Sequence, residues 1–425
     1  MTTASLKQRR DQALGAGAAL FYDQPLNIVR GDGVSLFDAD GRRYVDMYNN
    51  VPCVGHAHPR VVEAMARQQA TLNVHSRYLH EGIVAFAERL VALHGPQIES
   101  VVFSCSGTEA NENALRLARF ATGRRGILCT DATYHGNNDL VGALTGLGGR
   151  EPAHPDIRAI PFPQTFRPLV PGLSGAALTD AYLERLDGAI ASLEASGAGV
   201  AALIVCSIFA NEGLPDVPPG FMARAAERVR AAGGLVIADE VQAGYGRTGR
   251  WWGYDGTGFT PDIVVTGKPM GAGLPLAATA ASRDLVETFR RRTRYFNTFA
   301  SSPLQAAVGM AVLDVIEDEG LIDNAGRVGT MLKTALAGRR SRWDAIGDVR
   351  GTGLFIGLEM VDAAGAPDPD LASDVANRLK DRCFLTSNAG AFRNVVKIRP
   401  PLVFSQDDAA AFLEAFDAVV ADLHG

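Results

Sequence analysis

The feature that most constrains the fold is a regular alternation between residues 101 and about 282, where short apolar runs are separated by segments with helical spacing. Runs that are rich in β-branched residues and bounded by glycine or by Pro-Asp are typical of strands buried inside a parallel sheet. In chain order they read VVFS, GILCT, AALIVC, LVIAD, DIVVTG and LAATAA. This alternation predicts an α/β fold in which helices cover both faces of a mostly parallel sheet.

The regions on either side predict a smaller α+β unit. Residues 34–46 read as two short strands joined by a turn at Asp40 and Gly41. Near the C-terminus, VRGTGLFIGLEM and VVKIRPPLVFS look like strands that are separated by the helical segment LASDVANRLKDR. We predict a large domain of residues 61–310 and a small domain that combines residues 1–60 with residues 311–425.

One internal segment breaks the alternation. Residues 142–175 lack clear periodicity and carry five prolines from Pro152 to Pro168, which predicts a long surface excursion.

The composition is that of a soluble globular protein, with 47% apolar residues and a net charge of −6. This mild negative charge argues against nucleic acid or an anionic membrane as a partner. The five cysteines are scattered without a C-x-x-C pair, so neither a disulfide framework nor a metal site is predicted. The N-terminus has no signal-peptide pattern and no run of about 18 apolar residues occurs, which predicts a cytoplasmic location without a membrane span.

Two ionisable residues follow the ends of predicted strands. Asp239 closes the run LVIAD, and Lys268 follows the run DIVVTG. Because ligands of such sheets bind beyond the carboxyl ends of the strands, we expect this acid and this amine to face one crevice.

An acid and an amine in one crevice suit a pyridine aldehyde cofactor, pyridoxal 5'-phosphate. A lysine can bind the aldehyde covalently, and a carboxylate can keep the ring nitrogen protonated. Gln242 stands three residues after Asp239 and could donate to the ring hydroxyl. Taken alone, Lys268 could equally be a solvated surface lysine, and Asp239 could be a helix cap.

Two further segments predict contacts to the same cofactor. In SCSGTEANENALRLARFA, Ser106, Gly107 and Thr108 precede a helix, whose free N–H groups would suit a phosphate. The alternative is an ordinary N-cap. In DATYHGNN, Tyr134 and His135 follow a predicted strand, and the tyrosine could stack on a pyridine ring or simply be a partly buried loop residue.

The segments IADEVQAGYGRTG and PDIVVTGKPMGAGLPLAA resemble the signature of class III aminotransferases, which are pyridoxal-phosphate enzymes of fold type I. The resemblance extends over nearly the whole chain. It implies a large domain with a mostly parallel seven-stranded sheet and a small domain from both termini. It also implies that Asp239 pairs with the pyridine nitrogen, that Gln242 lies near the ring oxygen and that Lys268 binds the aldehyde.

The same resemblance assigns the other cofactor contacts. It implies that Gly107 and Thr108 bind the phosphate and that Tyr134, in the Tyr134–His135 segment, stacks on the cofactor. The segment YFNTFASSPLQAA resembles one whose threonine reaches the cofactor phosphate of a neighbouring subunit, which assigns Thr298 and implies a homodimer, or a tetramer, with shared active sites.

Two departures from the family pattern affect the substrate. Lys397 stands where many members carry an arginine that grips an α-carboxylate, and Asn211 stands where they carry a glutamate that masks it. Lysine offers a point charge rather than a bidentate fork. Arg399 could take over the role, since strand alternation places it on the same face as Lys397.

Other segments resemble the branch that includes ethanolamine-phosphate phospho-lyases, namely MYNNVPCVGHAHP, NVHSRYLHEGIV and FRNVVKIRPP. A cluster of Lys397, Arg399 and Arg393, together with Tyr22, could hold a substrate phosphate as readily as a carboxylate. The alternative is a solvated strand end.

The first hypothesis is therefore a ping-pong aminotransferase that moves an amino group from a primary amine or ω-amino acid to a 2-oxo acid such as pyruvate. The second is a phospho-lyase that eliminates phosphate and ammonia from a phosphorylated amino alcohol such as O-phosphoethanolamine. A non-catalytic dimeric scaffold is a third, disfavoured by the presence of both Lys268 and Asp239.

Overall fold

The computed structural model describes residues 3–146 and 154–424. In this part of the chain fifteen strands form three sheets. The strands are β1 (Ile28–Asp32), β2 (Ser35–Asp38), β3 (Arg43–Asp46), β4 (Ser100–Ser104), β5 (Gly126–Thr130), β6 (Ile157–Ile160), β7 (Val200–Cys206), β8 (Leu235–Asp239), β9 (Ile263–Thr266), β10 (Ala277–Ala281), β11 (Ile346–Thr352), β12 (Phe355–Met360), β13 (Phe384–Leu385), β14 (Ser387–Ala389) and β15 (Val395–Ile398).

The α-helices surround these sheets. They are α1 (Thr3–Leu14), α2 (Pro59–Thr71), α3 (Glu81–Ala92), α4 (Gly107–Thr122), α5 (Asp139–Gly142), α6 (Gly175–Ala195), α7 (Phe221–Ala231), α8 (Arg283–Thr293), α9 (Pro303–Asp318), α10 (Leu321–Ala337), α11 (Pro369–Asp381) and α12 (Gln406–His424). Across residues 3–146 and 154–424, none of the helices is both long and apolar enough to span a membrane.

The central sheet has seven strands in the order β4-β10-β9-β8-β7-β5-β6. Only β10 runs against its neighbours, because it pairs antiparallel with both β4 and β9, whereas the pairs from β9 to β6 are parallel. The predicted α/β fold with a mostly parallel seven-stranded sheet is therefore confirmed. All six predicted strands are present in it.

The seventh strand lies inside the segment that was predicted to be an irregular excursion. β6 pairs parallel with β5 at the edge of the sheet, so the prediction is wrong for residues 157–160. An edge strand of four residues buries only Ile157 and Ile160 fully, which gives too short a pattern to detect. Residues 147–153 of the same segment lie outside the described part of the chain.

Both faces of the sheet are covered, as its sequence pattern requires. β7 is buried at every position. On β8, Val236 and Ala238 belong to one cluster of buried apolar residues, whereas Ile237 belongs to another that includes Ala114 and Leu117 of α4. Because successive side chains of a strand point to opposite faces, α4 covers the face of Ile237, and the cluster that contains Val236 and Ala238 covers the other face.

Two four-stranded sheets contain the terminal regions. In one of them β13 pairs parallel with β3, which joins a C-terminal segment to the predicted hairpin of β2 and β3. In the other, VRGTGLFIGLEM folds into the hairpin of β11 and β12, and β15 ends at Ile398, before Pro400 and Pro401. Proline has no backbone N–H to donate to a neighbouring strand, so the predicted strand VVKIRPPLVFS ends before its two prolines. The domain limits at residues 60 and 310 stay a prediction, and α9 runs through residue 310.

Candidate active site

The ends of three adjacent parallel strands build the floor of one cavity. Asp239 ends β8, Cys206 ends β7 directly beside it in register, and Lys268 follows β9. All three side chains line one cavity that is open to solvent. The acid and the amine thus meet at the carboxyl edge of the sheet, where a doubly wound fold places its ligands.

The Asp239 carboxylate is buried and held from three sides. Its Oδ2 accepts hydrogen bonds from His135 Nδ1 at 2.6 Å and Asn111 Nδ2 at 3.0 Å, while its Oδ1 accepts from the Val241 N–H at 3.0 Å. The Thr133 hydroxyl contacts the other ring nitrogen of His135 at 2.8 Å. These contacts fix the orientation of the carboxylate, and a carboxylate held in place is a suitable partner for a protonated heterocyclic nitrogen.

Lys268 begins a short 3₁₀ helix, Lys268–Gly271, and projects into the cavity. The Lys268 side chain is exposed to the open cavity. Protein atoms nevertheless surround its amine closely enough to change its pKa. Burial lowers the pKa of the Lys268 amine; Asp239 opposes this effect and Arg399 adds to it. An amine with a lowered pKa is a better nucleophile and base near neutral pH.

The N-terminus of α4 forms the opposite wall. The Ser106 hydroxyl accepts from the Glu109 N–H at 3.2 Å and so acts as the N-cap, and Ser106 does not line the cavity. Gly107 and Thr108 do line it, and the first N–H groups of a helix have no partner inside that helix. This wall can therefore receive a phosphate.

Tyr134 and Gln242 complete the lining of the cavity. A chain of hydrogen bonds connects them: Asn211 Nδ2 donates to the Tyr134 carbonyl at 3.0 Å, and Gln242 Nε2 donates to Asn211 Oδ1 at 3.0 Å. Gln242 Oε1 in turn accepts from the Arg399 guanidinium.

Lys397 lies in β15 and Arg399 directly follows its last residue, and the two side chains lie over the same aromatic ring. Both are buried, at 5% and 4% exposure, and both lie over the Phe355 ring, at 5.6 Å and 5.1 Å from its centre. Arg399 donates from Nε and Nη2 to the Tyr48 carbonyl at 2.9 Å and 2.8 Å. Burial, followed by the charge of Arg399, lowers the pKa of the Lys397 amine to about 7.

Six of the predicted residues do not line this cavity: Ser106, Lys397 and Arg399, which are described above, and also Tyr22, Arg393 and Thr298. The Tyr22 hydroxyl donates to the Thr386 carbonyl at 2.7 Å, in a separate apolar pocket. Arg393 is exposed in the turn between β14 and β15, apart from the buried pair. Thr298 is exposed in the segment before α9 and does not line the cavity of its own chain.

Three residues of the site had not been assigned from the sequence. Asn111 holds the Asp239 carboxylate, Val241 lines the cavity beside Gly107, and Cys206 lies at its floor. For Asn111, the signal was its position one turn into the helix after Gly107. For Cys206, it was the end of the strand AALIVC, next to the strand that ends in Asp239.

The arrangement fits pyridoxal phosphate. A fixed buried carboxylate matches the pyridinium nitrogen, a lysine with a lowered pKa matches the aldehyde, and a free helix N-terminus matches the phosphate.

Comparison with known proteins identifies the family. The profile of the family described as Aminotransferase class-III matches residues 19–420. A Drosophila melanogaster protein named alanine–glyoxylate aminotransferase 2-like is 37% identical over 96% of this chain and 85% of its own. A Caenorhabditis elegans protein named ethanolamine-phosphate phospho-lyase homolog 1 is 33% identical over 98% of this chain and 92% of its own.

Among solved structures, a phospholyase from Arthrobacter in complex with phosphoethanolamine is 41% identical, covers 98% of this chain and 99% of its own, and superposes with a TM-score of 0.94. The predicted family and cofactor are confirmed: the chain belongs to the class III aminotransferases, the pyridoxal-phosphate-dependent enzymes of fold type I.

Proposed function

We propose that this enzyme eliminates phosphate and ammonia from a phosphorylated amino alcohol such as O-phosphoethanolamine. From the sequence, transamination stood first. The observation that reverses this order is the buried pair of Lys397 and Arg399 beside Lys268, two cations that no carboxylate of the described residues neutralises by direct contact.

Two cations buried without a counter-ion are unfavourable unless a ligand supplies negative charge. Arg399 already donates hydrogen bonds to the Tyr48 carbonyl and to Gln242 Oε1. Lys397 Nζ makes no hydrogen bond to any described residue. The pair therefore suits an anion that brings several acceptor oxygens and more than one charge, and a phosphate monoester fits this better than a carboxylate.

Asn211 supports the same proposal. A family member that alternates between an amine and a 2-oxo acid benefits from an acid that can mask the anion-binding cation. Asn211 is uncharged, and it is fixed between Tyr134 and Gln242. The cations are therefore always available to an anionic substrate, as suits a lyase with a single charged substrate.

Two of the similar proteins carry names that agree with this choice. The Arthrobacter structure is named as a phospholyase with phosphoethanolamine bound, and the Caenorhabditis elegans relative is named as a homologue of an ethanolamine-phosphate phospho-lyase.

In the proposed reaction each residue has a distinct task. When bound, pyridoxal phosphate supplies an aldehyde that takes up the substrate amine and a ring that accepts the electron pair left on carbon. Asp239 holds the positive charge at the ring nitrogen, and the N-terminus of α4 holds the cofactor phosphate. Lys268 removes the proton from the amine-bearing carbon, while the buried Lys397 and Arg399, whose charges act on Lys268, hold the substrate phosphate.

The second candidate is amino-group transfer from a primary amine or ω-amino acid to a 2-oxo acid such as pyruvate. It is favoured by the 37% identity to a relative named as an alanine–glyoxylate aminotransferase 2-like protein. Under this function, Lys397 and Arg399 would receive a substrate carboxylate.

For either reaction we propose a homodimer with shared sites. Thr298 lies beside Phe299, which is 74% exposed, and the nearby surface includes exposed Tyr78 and Leu79. Isolated large apolar side chains are common on surfaces, but a group of them marks an interaction site. A tetramer and a cytoplasmic location stay predictions.

One experiment separates the two reactions. O-phosphoethanolamine is added to the purified holoenzyme without an oxo acid, while inorganic phosphate and the visible absorption of the cofactor are followed. Under the proposal, phosphate is released over many turnovers and the spectrum of the lysine-bound cofactor returns. A single conversion to the aminated cofactor, reversed by pyruvate and without phosphate release, would establish transamination instead. Lys268→Ala is the control and should release no phosphate.

A further inference from the structure

Lys397 has a chemical property that phosphate binding alone does not use. Its amine is buried and carries three N–H donors, yet it makes no hydrogen bond and no ion pair with the described residues. Arg399, directly after the end of β15, supplies a permanent positive charge over the same Phe355 ring. A cation that cannot release a proton thus lies next to one that can.

We propose that Lys397 is a catalytic acid that protonates the phosphate oxygen as the substrate's carbon–oxygen bond breaks. This inference rests on the proposed lyase function and deepens it.

The step needs an acid because of the charge on the leaving group. If the carbon–oxygen bond of a dianionic phosphate ester broke without proton transfer, the electron pair would stay on a phosphate trianion, a strong base and a poor leaving group. A proton from Lys397 Nζ to that oxygen lets it leave as hydrogen phosphate. General-acid assistance of this kind contributes roughly 10²- to 10⁴-fold to a rate.

Atoms and charges balance in this scheme. Lys268 takes the proton from the amine-bearing carbon and returns it to the neighbouring carbon after the phosphate has left. Water then divides the product into an aldehyde and ammonium. The proton that the substrate ammonium releases on binding, returned through solvent, restores the one that Lys397 gave.

The other groups near Lys397 are unsuited to this task. Arg399 holds its proton too tightly, Lys268 serves the carbon, and Cys206 is a thiol whose pKa is raised by burial. Glu212 is buried and accepts a hydrogen bond from the Thr130 hydroxyl at 2.6 Å. The residues opposite Lys397 on the flanking strands β12 and β14 are Gly357 and Ser387, which carry no charge.

The acid–base properties of Lys397 agree with this task. Its pKa is lowered to about 7 by burial first, then by Arg399 and Lys268, while Cys206 and Glu212 oppose the shift. An acid works best when its pKa lies near the working pH. Lys397 must be protonated to act, so kcat/KM should fall as the pH rises through about 7.

The test pairs a conservative variant with two leaving groups. Lys397→Arg keeps the positive charge that binds the anion but cannot readily release a proton. For O-phosphoethanolamine we expect its kcat to fall by about 100-fold. For the matching sulfate ester, whose leaving group needs no proton, kcat should stay within about threefold of wild type. The fall in kcat/KM above pH 7 should also vanish in the variant.

The outcomes keep the two proposals apart. If wild type releases no phosphate, the lyase function fails. If wild type releases phosphate and Lys397→Arg does so equally fast, or if both esters slow equally, the role of Lys397 as an acid is overturned. If the sulfate ester proves too slow in wild type, the pH profile decides, and an unchanged alkaline limb overturns the acid role. Lys380→Arg, at another buried lysine that pairs with Asp381, is the matched control and should behave as wild type.

Discussion

Asn211 illustrates how one uncharged side chain determines the electrostatics of a site. Its amide donates to the Tyr134 carbonyl and accepts from Gln242, which in turn accepts from Arg399. A carboxylate at this position would lie two hydrogen bonds from the guanidinium. Because the surroundings are buried, charges at such distances interact more strongly than they do in water.

We therefore predict that Asn211→Asp weakens binding of an anionic substrate. The new carboxylate attracts Lys397 and Arg399 and so competes with the anionic substrate, and it cannot donate to the Tyr134 carbonyl. The KM for O-phosphoethanolamine should therefore rise about tenfold while kcat changes little. Steady-state phosphate release measures both constants. Asn211→Ala removes the same hydrogen bonds without adding charge and should raise KM less. Equal effects of the two variants would show that the hydrogen bonds, and not the charge, are what counts.

At the scale of elements, the helix N-terminus and the loop after β5 form one unit. Gly136 has a φ of +150°, and a Cβ there would lie 2.7 Å from Thr108 Oγ1 and 2.9 Å from Thr108 Cα. The loop that carries Tyr134 and His135 can thus approach α4 closely only because residue 136 has no side chain.

Gly136→Ala should accordingly push Thr108 away and weaken cofactor binding by about tenfold, through loss of roughly one charge-assisted hydrogen bond. Titration of the apoenzyme with pyridoxal phosphate, followed by absorbance, measures this affinity. Gly123 at the end of α4 also has positive φ, +69°, but has no atom within 4 Å of an added Cβ. Gly123→Ala should cost stability without changing affinity; a similar loss in both variants would contradict the role of close approach.

The strands of the central sheet differ in how well they could be predicted from the sequence. The strands that lead to Asp239 and Lys268 are predictable because a run of β-branched residues is a local signal. The parallel arrangement that brings the ends of both strands together follows from the fold class. β6 was missed because an edge strand of four residues needs only two buried positions.

Side-chain contacts between distant segments were less predictable. Tyr22 was assigned to the substrate, but its hydroxyl donates to the carbonyl of Thr386, more than 360 positions away in the chain. Arg393 was grouped with Lys397 on residue type, yet a turn with positive φ, +59°, holds it at the surface. Such placements depend on loop geometry, which has no periodic signal.

At the scale of the whole molecule, Thr298 is predicted to reach the cofactor phosphate of a neighbouring subunit, and it does not line the cavity of its own chain. Thr298 is exposed, and it lies in a surface segment that also exposes Phe296 and Phe299. Phe296 contacts the His75 ring and lies under Arg77, which connects this segment to the surface around Tyr78. In a two-fold dimer, each such surface would meet the same surface of the partner.

If Thr298 serves the partner's site, two inactive variants should complement each other. Thr298→Asp places a carboxylate where the partner's cofactor phosphate would bind, and Lys268→Ala removes the amine from its own cavity. In a heterodimer of the two, the chain that keeps Lys268 receives an intact Thr298. When equal amounts are combined, by co-expression or by denaturation and refolding together, about half of the dimers should be heterodimers, each with one active site of two. About a quarter of the wild-type activity per site should thus be restored. Activity is measured by phosphate release, and each variant refolded alone is the control. No recovery in a mixture that demonstrably forms heterodimers would mean that Thr298 acts within its own chain or not at all.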